Sequence, residues 1–212
     1  GWYAKLEELI NTKLLHYTDE YEDLVTNNPI VAVRTKGIGI IEPQKGIEWG
    51  LTGPNIRASG VNYDVRRNKP YSKYEEFDFD VVTQETGDVF ARYKCRVQEI
   101  RESCKIILQA IKKIRALPGG EHAQADTELK AKKILPGFKA PAGESYEVVE
   151  SPRGEMGVHL IADGTQVPYR LKWRSPSWFP TAYLPELAEG TPISDVVAVF
   201  SSLDVILPDV DR

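Results

Sequence analysis

The sequence predicts an α+β protein that is mainly helical, with a long central helix and a small antiparallel sheet. Three observations predict it. Apolar residues recur at alternating spacings of three and four from Val89 through Tyr93, Val97, Ile100, Cys104, Ile107 and Ile111 to Ile114, which keeps one stripe of a helix apolar for about eight turns. Leu6, Leu9, Ile10, Leu14, Tyr17, Tyr21 and Leu24 repeat the same spacing near the start of the chain. After Pro136 the period changes to two, with Tyr146 and Val148, Val158 and Leu160, then Tyr169, Leu171 and Trp173, the alternation of half-buried strands.

A chain of 212 residues with 42% apolar content suits one large domain or two small ones. The expected organisation is a helical part over 1–135, carrying an ordered loop at 50–80 and the long helix at 86–117. A small sheet with C-terminal helices follows over 136–212, packed as one unit with the first part. The net charge of -4 argues against a nucleic-acid binder held by a basic surface. No apolar run reaches the ~18 residues of a membrane helix, so membrane association is expected only through a partner. Cys95 and Cys104 stand on opposite faces of the long helix, at about 100° per residue, and can share neither a disulfide nor a metal there. They read as small apolar packers of a reducing compartment. Met156 is the single methionine and Gly1 opens directly onto a helical pattern, so the chain reads as a fragment or processed product.

In order, the first helix spans Trp2 to Val25, with a break expected at Thr18, a potential new N-cap, and an end at Asn27-Asn28-Pro29. His16 reads as a surface or core histidine. Ile30 to Ile41 can be taken as a strand leading to Gly37-Ile38-Gly39, but neither a third glycine nor an acidic ribose ligand follows, which disfavours a nucleotide loop. Glu42 to Gly50 is a short helix. Residues 50–71 form a long ordered loop, in which Arg57, Asp64 and Arg66 either hold the loop through buried ion pairs or work directly at a site.

Thr86 is the expected N-cap of the long helix, with Asp88 in its first turn and Pro118-Gly119-Gly120 as its stop. Its length is roughly 45 Å. Its other face, carrying Arg92, Lys94, Arg96, Glu99 and Arg101, is expected to be solvated or to meet a polar partner. A short helix is expected from Asp126 or Thr127, with His122, Lys130, Lys132 and Lys133 on the surface. Two or three antiparallel strands are expected, separated by Pro152-Arg153-Gly154 and by Asp163-Gly164, the latter a good hairpin turn; His159 reads as structural, Trp178 to Ala188 gives a short helix or two, and Pro192 opens a last helix from Ser194 to Ser201.

The string from Gly50 to Gly60, with Asp64, Arg66, Pro70 and Tyr71, then YEEFDFDV at 74–81 and GDVFARY at 87–93, resembles the 49-kDa subunit family of the respiratory complex I NADH:quinone oxidoreductase. That family is itself similar to the large subunit of nickel-iron hydrogenases. SPRGEMGVHLIADG at 151–164 and PYRLKWRSPS at 168–177 resemble two further motifs of the family, which makes Arg153, Glu155 and Arg174 buried or interfacial charges. The resemblance covers almost the whole chain and corresponds to roughly the second half of the family's sequence. It implies a hydrogenase-large-subunit-like fold.

The chain ends SSLDVILPDVDR. Laid on the hydrogenase pattern Asp-Pro-Cys-x-x-Cys, Asp204 keeps the aspartate while Ile206 and Asp209 stand in place of the cysteines. Soft thiolates are what a nickel-iron centre requires, so no metal is expected. The resemblance implies instead a cavity for a flat, largely apolar quinone headgroup, bordered by Asp204 and Ile206, with Arg212 anchoring the tail by ion pairing. It implies quinone as substrate, no cofactor bound by this chain, and no catalytic residue assignable within it. NAD and iron-sulfur clusters would lie in partner subunits of the peripheral arm, the nearest being the iron-sulfur subunit with the terminal cluster. The implied place is the cytoplasmic side of a bacterial cell membrane, or the matrix side of the mitochondrial inner membrane. The alternative is a non-catalytic scaffold subunit of a related hydrogenase-like complex, suggested by Pro208, where the family commonly has glycine, and by the divergent 119–135 segment.

Overall fold

A computed structural model describes residues 1–118 and 137–211, so the expectations for 119–136 and for Arg212 lie outside the described residues. The N-terminal stripe forms α1 (Trp2–Leu9) and α2 (Leu15–Tyr21), joined by a π-helical turn at Ile10–Leu14 and followed by another at Glu22–Thr26. The break expected at Thr18 does not occur. Its hydroxyl donates to the Leu14 backbone oxygen (2.7 Å) from within the helix, a local bond that replaces capping. Ile30 to Ile41 is not a strand, because Asn28 accepts the Ile30 N–H (2.9 Å) and Pro29 presets the first turn of α3 (Pro29–Thr35).

A short α4 (Pro43–Glu48) leads into the glycine-rich segment, which holds two single-turn helices that spacing alone did not show: α5 (Pro54–Arg57) and α6 (Val65–Asn68). Each has a local cause, Pro54 at the start of α5 and the Asp64 carboxylate accepting the Arg66 N–H (2.9 Å) at the start of α6. The long helix α7 (Val89–Ala116) is capped by Asp88 rather than Thr86. Asp88 accepts from Ala91 N–H (2.7 Å) and from Gly37 N–H (2.9 Å), while the Thr86 hydroxyl is engaged with Asp88 itself (3.1 Å).

The charged face of α7 is not simply solvated. Arg92 is fully buried, donating to the backbone oxygens of Gly39 (2.9 Å) and Gly87 (2.7 Å) and to the Ser202 hydroxyl (2.9 Å). Burial draws its pKa down to about 9. Cys95 and Cys104 are both buried with free thiols, and burial pushes Cys95 up to about 12. Elements therefore cover α7 on opposite sides: α5 packs against it, as do α2 and α9 (Ile193–Leu203). The main apolar core joins α5, α7 and α9 to α8 (Trp178–Ala188) through Ile41, Leu51, Ile56, Val89, Tyr183, Leu187, Val199 and Leu203.

Strands β1 (Gly143–Ser151), β2 (Gly154–Ala162) and β3 (Arg170–Arg174) form one antiparallel sheet in that order. The tight turn is Pro152-Arg153, between the paired Ser151 and Gly154. Asp163-Gly164 instead opens a longer connection, where the Asp163 carboxylate accepts the Thr165 N–H (3.0 Å) and the Thr165 hydroxyl donates to the Val167 backbone oxygen (2.8 Å). Paired residues share a face. Val149 with Met156, Val158 with Trp173, and Leu160 with Leu171 make one face apolar; Glu150 with Glu155, and Tyr146 with His159, put polar groups on the other. The chain closes with α10 (Leu207–Val210).

Candidate functional site

The polar face of the sheet lies on the glycine-rich segment, and a charge network fills the contact. Arg57, 1% exposed at its side chain, meets Glu99 (2.5 Å), Glu150 (2.8 Å) and Asp64 (3.7 Å), and donates to the Tyr63 backbone oxygen (3.0 Å). Burial works against its charge, yet the surrounding carboxylates hold its pKa above the usual value. Asp64 is fully buried and also pairs with Arg66 (2.6 Å). Burial alone would raise its pKa, but the bond from Arg66 and the two guanidinium charges hold it below the usual range. Glu150 goes the other way, weakened as an acid by burial despite Arg57. The Arg66 and Arg67 guanidiniums stack over Phe79 at 5.0 and 3.9 Å.

Across the strand pair from Glu150, Glu155 takes hydrogen bonds from the Tyr63 hydroxyl and from the Tyr146 hydroxyl (3.1 Å), and pairs with Arg174 (3.3 Å). Arg174 also donates to the backbone oxygens of Glu155 (2.7 Å) and Gly50 (2.9 Å), tying β3 to the end of the α4 turn. His159 pairs with Glu144 at 2.6 Å on the same sheet face.

The tail enters this assembly at Asp204. As the C-cap of α9 it adopts a left-handed backbone (φ 55°, ψ 48°), which aspartate tolerates better than most residues. Arg153, on the β1–β2 turn, donates to its backbone oxygen (2.9 Å) and its carboxylate (3.2 Å), and Arg96 of α7 approaches the same carboxylate at 3.8 Å. Arg96 donates to the Arg92 backbone oxygen (3.1 Å) and to Asn55 (3.3 Å), while its Nε is buried with no hydrogen-bond partner.

A cavity of about 510 Å³ opens here, lined by Arg57, Arg66, Arg96, Glu99, Glu150 and Asp204 together with apolar Leu14, Ile100 and Ile107. Thus Arg57, Arg66 and Asp204, singled out in the sequence, meet at one cavity, with Asp64 beneath them and Arg153 clasping Asp204. Glu155 and Arg174 border a separate recess with Tyr63. Ile206 is 37% exposed, its N–H directed to the Ser177 hydroxyl (3.3 Å), and it does not line the 510 Å³ cavity. Asp209 accepts from the Ser175 hydroxyl (2.5 Å). A larger hollow of about 730 Å³, with Tyr146, His159, Trp173, Trp178 and Phe179, holds none of the tail residues. Among the described residues no cluster of histidine, cysteine and carboxylate groups is arranged to hold a metal.

Glu99, Glu150, Arg96 and Tyr63 were not singled out in the sequence. One signal was available for Glu150: with the turn placed at Pro152-Arg153, residues 150 and 155 fall opposite one another. Arg96 and Glu99 are one helical turn apart on α7, but nothing local says that this turn is covered.

Fold and site together define an α+β protein with a buried arginine–carboxylate network walling a cavity beside its C-terminal tail. The family model described as the respiratory-chain NADH dehydrogenase 49 Kd subunit matches residues 1–212, and the chain belongs to that family. It is 42% identical over 226 residues to an NADH-quinone oxidoreductase D-type subunit of Koribacter versatilis, covering 100% of this chain and 56% of that relative. It is 43% identical over 228 residues to an NAD(P)H-quinone oxidoreductase H-type subunit of Gloeobacter violaceus, covering 100% of this chain and 57% of the relative. The NADH-quinone oxidoreductase D-type subunit of Dehalococcoides mccartyi is 42% identical over 207 residues, 98% of this chain and 53% of the relative. The chain therefore spans about half the length of the curated relatives it matches.

Proposed function

We propose that this chain supplies part of the quinone site of an NADH:quinone oxidoreductase, with the headgroup in the 510 Å³ cavity beside Asp204. The observation that carries this reading is the clasp of Arg153 on Asp204, which brings the hairpin turn and the tail to the same cavity. Apolar Leu14, Ile100 and Ile107 suit a ring, and the polar wall supplies donors for its oxygens. In this reading the chain binds no cofactor. Electrons arrive from an iron-sulfur centre of a neighbouring subunit, NAD is handled by other subunits, and proton translocation belongs to the assembled complex. Attachment to the membrane is peripheral and through partners; among the described residues no helix is long and apolar enough to cross a bilayer. Kinship of the fold with nickel-iron hydrogenase large subunits, and packing of 1–135 and 136–212 as one unit, belong to the same proposal. Ile206 follows Asp204 on the tail but does not line the cavity, so the headgroup contact is assigned to Asp204.

The test is a photoreactive quinone analogue applied to the assembled oxidoreductase. Labelling near Asp204, with an Asp204→Asn variant raising KM for quinone about tenfold, equivalent to the loss of about 1.4 kcal/mol, is the expected result. No labelling together with unchanged kinetics in the variant would leave the chain a scaffold.

A further inference from the structure

We propose that Asn55 is a positioning residue for quinone binding: from behind the cavity, its amide fixes both Arg96 and the turn that aims Asp204. This rests on the quinone reading above. Asn55 is 1% exposed and does not line the 510 Å³ cavity, so it acts through residues that do. A polar side chain buried between Pro54 and Ile56 costs free energy unless its groups are bonded. Here both ends are engaged. The Asn55 Nδ2 donates to the Leu203 backbone oxygen (3.1 Å), and its Oδ1 accepts from Arg96 (3.3 Å). A carbonyl only accepts and a guanidinium only donates, so the amide fits one way round.

Both bonds act on groups next to Asp204. Leu203 ends α9, and the last four carbonyls of a helix find no partner within it. The Asn55 amide supplies that partner at the residue where the chain turns left-handed into Asp204. Arg96 is held by Asn55 and by the Arg92 backbone oxygen (3.1 Å), which keeps its guanidinium 3.8 Å from the Asp204 carboxylate. Arg153 completes the set through the Asp204 backbone oxygen and carboxylate. The segments carrying Asn55 and Arg153 meet where a Cβ on Gly53 would lie 2.6 Å from the Arg153 backbone oxygen. One segment therefore holds the residue before Asp204, and the other holds Asp204 itself.

Arg96 and Asp204 also line a neighbouring, largely apolar cavity of about 440 Å³. The pair is a shared wall, and its tilt sets the shape offered to a headgroup. Without the Asn55 oxygen, Arg96 is free to close the 3.8 Å gap and take the Asp204 carboxylate as its partner, withdrawing that carboxylate from the headgroup. Without the Asn55 N–H, the Leu203 oxygen is left unbonded beside a fully buried side chain, and the turn loses its anchor.

The experiment uses the assembled oxidoreductase carrying Asn55→Leu, close in volume but without polar groups, or Asn55→Asp, which still accepts from Arg96 but cannot donate to Leu203. Each is made in the parent and in an Asp204→Asn background. Quinone KM and kcat are measured together with hydrogen exchange over residues 203–206. Asn55→Leu is expected to raise KM about fivefold in the parent, with kcat held and exchange faster. In the Asp204→Asn background it adds nothing to KM, because the group it positions is already gone. Asn55→Asp speeds exchange likewise and raises KM less. An unchanged KM, or an equal rise in both backgrounds, overturns the positioning role, and unchanged exchange overturns the tie to the turn whatever binds in the cavity. If Asn55→Leu does not assemble, Asn55→Asp decides by the same two comparisons. The quinone reading fails separately, when the unaltered complex takes no label beside Asp204 and Asp204→Asn keeps the parent KM.

Discussion

Gly53 and Gly154 pass so close that a Cβ on Gly53 would stand 2.5 Å from the Gly154 Cα. Gly53 holds φ 65° and ψ -151°, a region that only glycine enters without strain. The contact seats the first residue of β2 on the glycine-rich segment and lets the Thr52 hydroxyl accept the Glu155 N–H (3.0 Å). Gly53→Ala is expected to destabilise by on the order of 1–3 kcal/mol from the backbone alone, with the steric overlap in addition. Chemical denaturation of the variant checks this, and an unchanged midpoint would contradict the packing.

Arg57 is the common counter-ion of Glu99, Glu150 and Asp64. Arg57→Met removes the one guanidinium that touches all three carboxylates, an expected loss of about 3–5 kcal/mol. Arg57→Lys keeps the charge but not the fork that reaches Glu99 and Glu150 together, so it recovers only part of the loss. Denaturation midpoints of the two variants give the comparison.

The network makes stability depend on pH in two opposed ways. The folded pKa of Asp64 is depressed, so its contribution is present above the ordinary aspartate value of about 3.9 and is lost as pH falls through the folded pKa. Asp64→Asn is therefore weaker at neutral pH and shows a flatter acid limb. The folded pKa of Glu150 is raised, so stability declines as pH climbs from the ordinary value of about 4.3 through the folded one. Glu150→Gln removes that decline. Unfolding free energies of both variants between acid and neutral pH test the signs.

Asp88 serves two N–H groups, Ala91 at the start of α7 and Gly37 before α4. Asp88→Ala is expected to cost about 1–2 kcal/mol, and Asp88→Asn, which keeps an acceptor, less. Hydrogen exchange at Ala91 and Gly37 should rise together in the alanine variant, since one side chain holds both.

The helices were legible because their stripes are local, and the α+β class followed from the change of period after Pro136. What escaped depended on distant partners. Thr86 and Asp88 are both capping residues, and the choice between them is settled by the Gly37 N–H, far back in the chain. Arg92 counts as polar in any periodic reading, yet backbone oxygens of Gly39 and Gly87 and the Ser202 hydroxyl give it a buried place. At the site, a buried ion-pair role for Arg57, Asp64 and Arg66 was one of the two readings their loop offered. The left-handed turn at Asp204, and the two arginines that meet it, arise from packing of the hairpin and α7 on the tail. Asp163-Gly164 has the composition of a two-residue turn, but the bonds of Thr165 open the connection.

With Cys95 and Cys104 both buried on opposite sides, α7 is held on two sides along its middle. A rod held this way cannot roll about its own axis without breaking contacts on two sides at once. A push at its far end, where Lys113 holds Glu76 (3.0 Å), would travel along it as a lengthwise slide. Asp88, Arg92 and Arg96 would then move together, and the tail at Asp204 would feel the displacement as one piece.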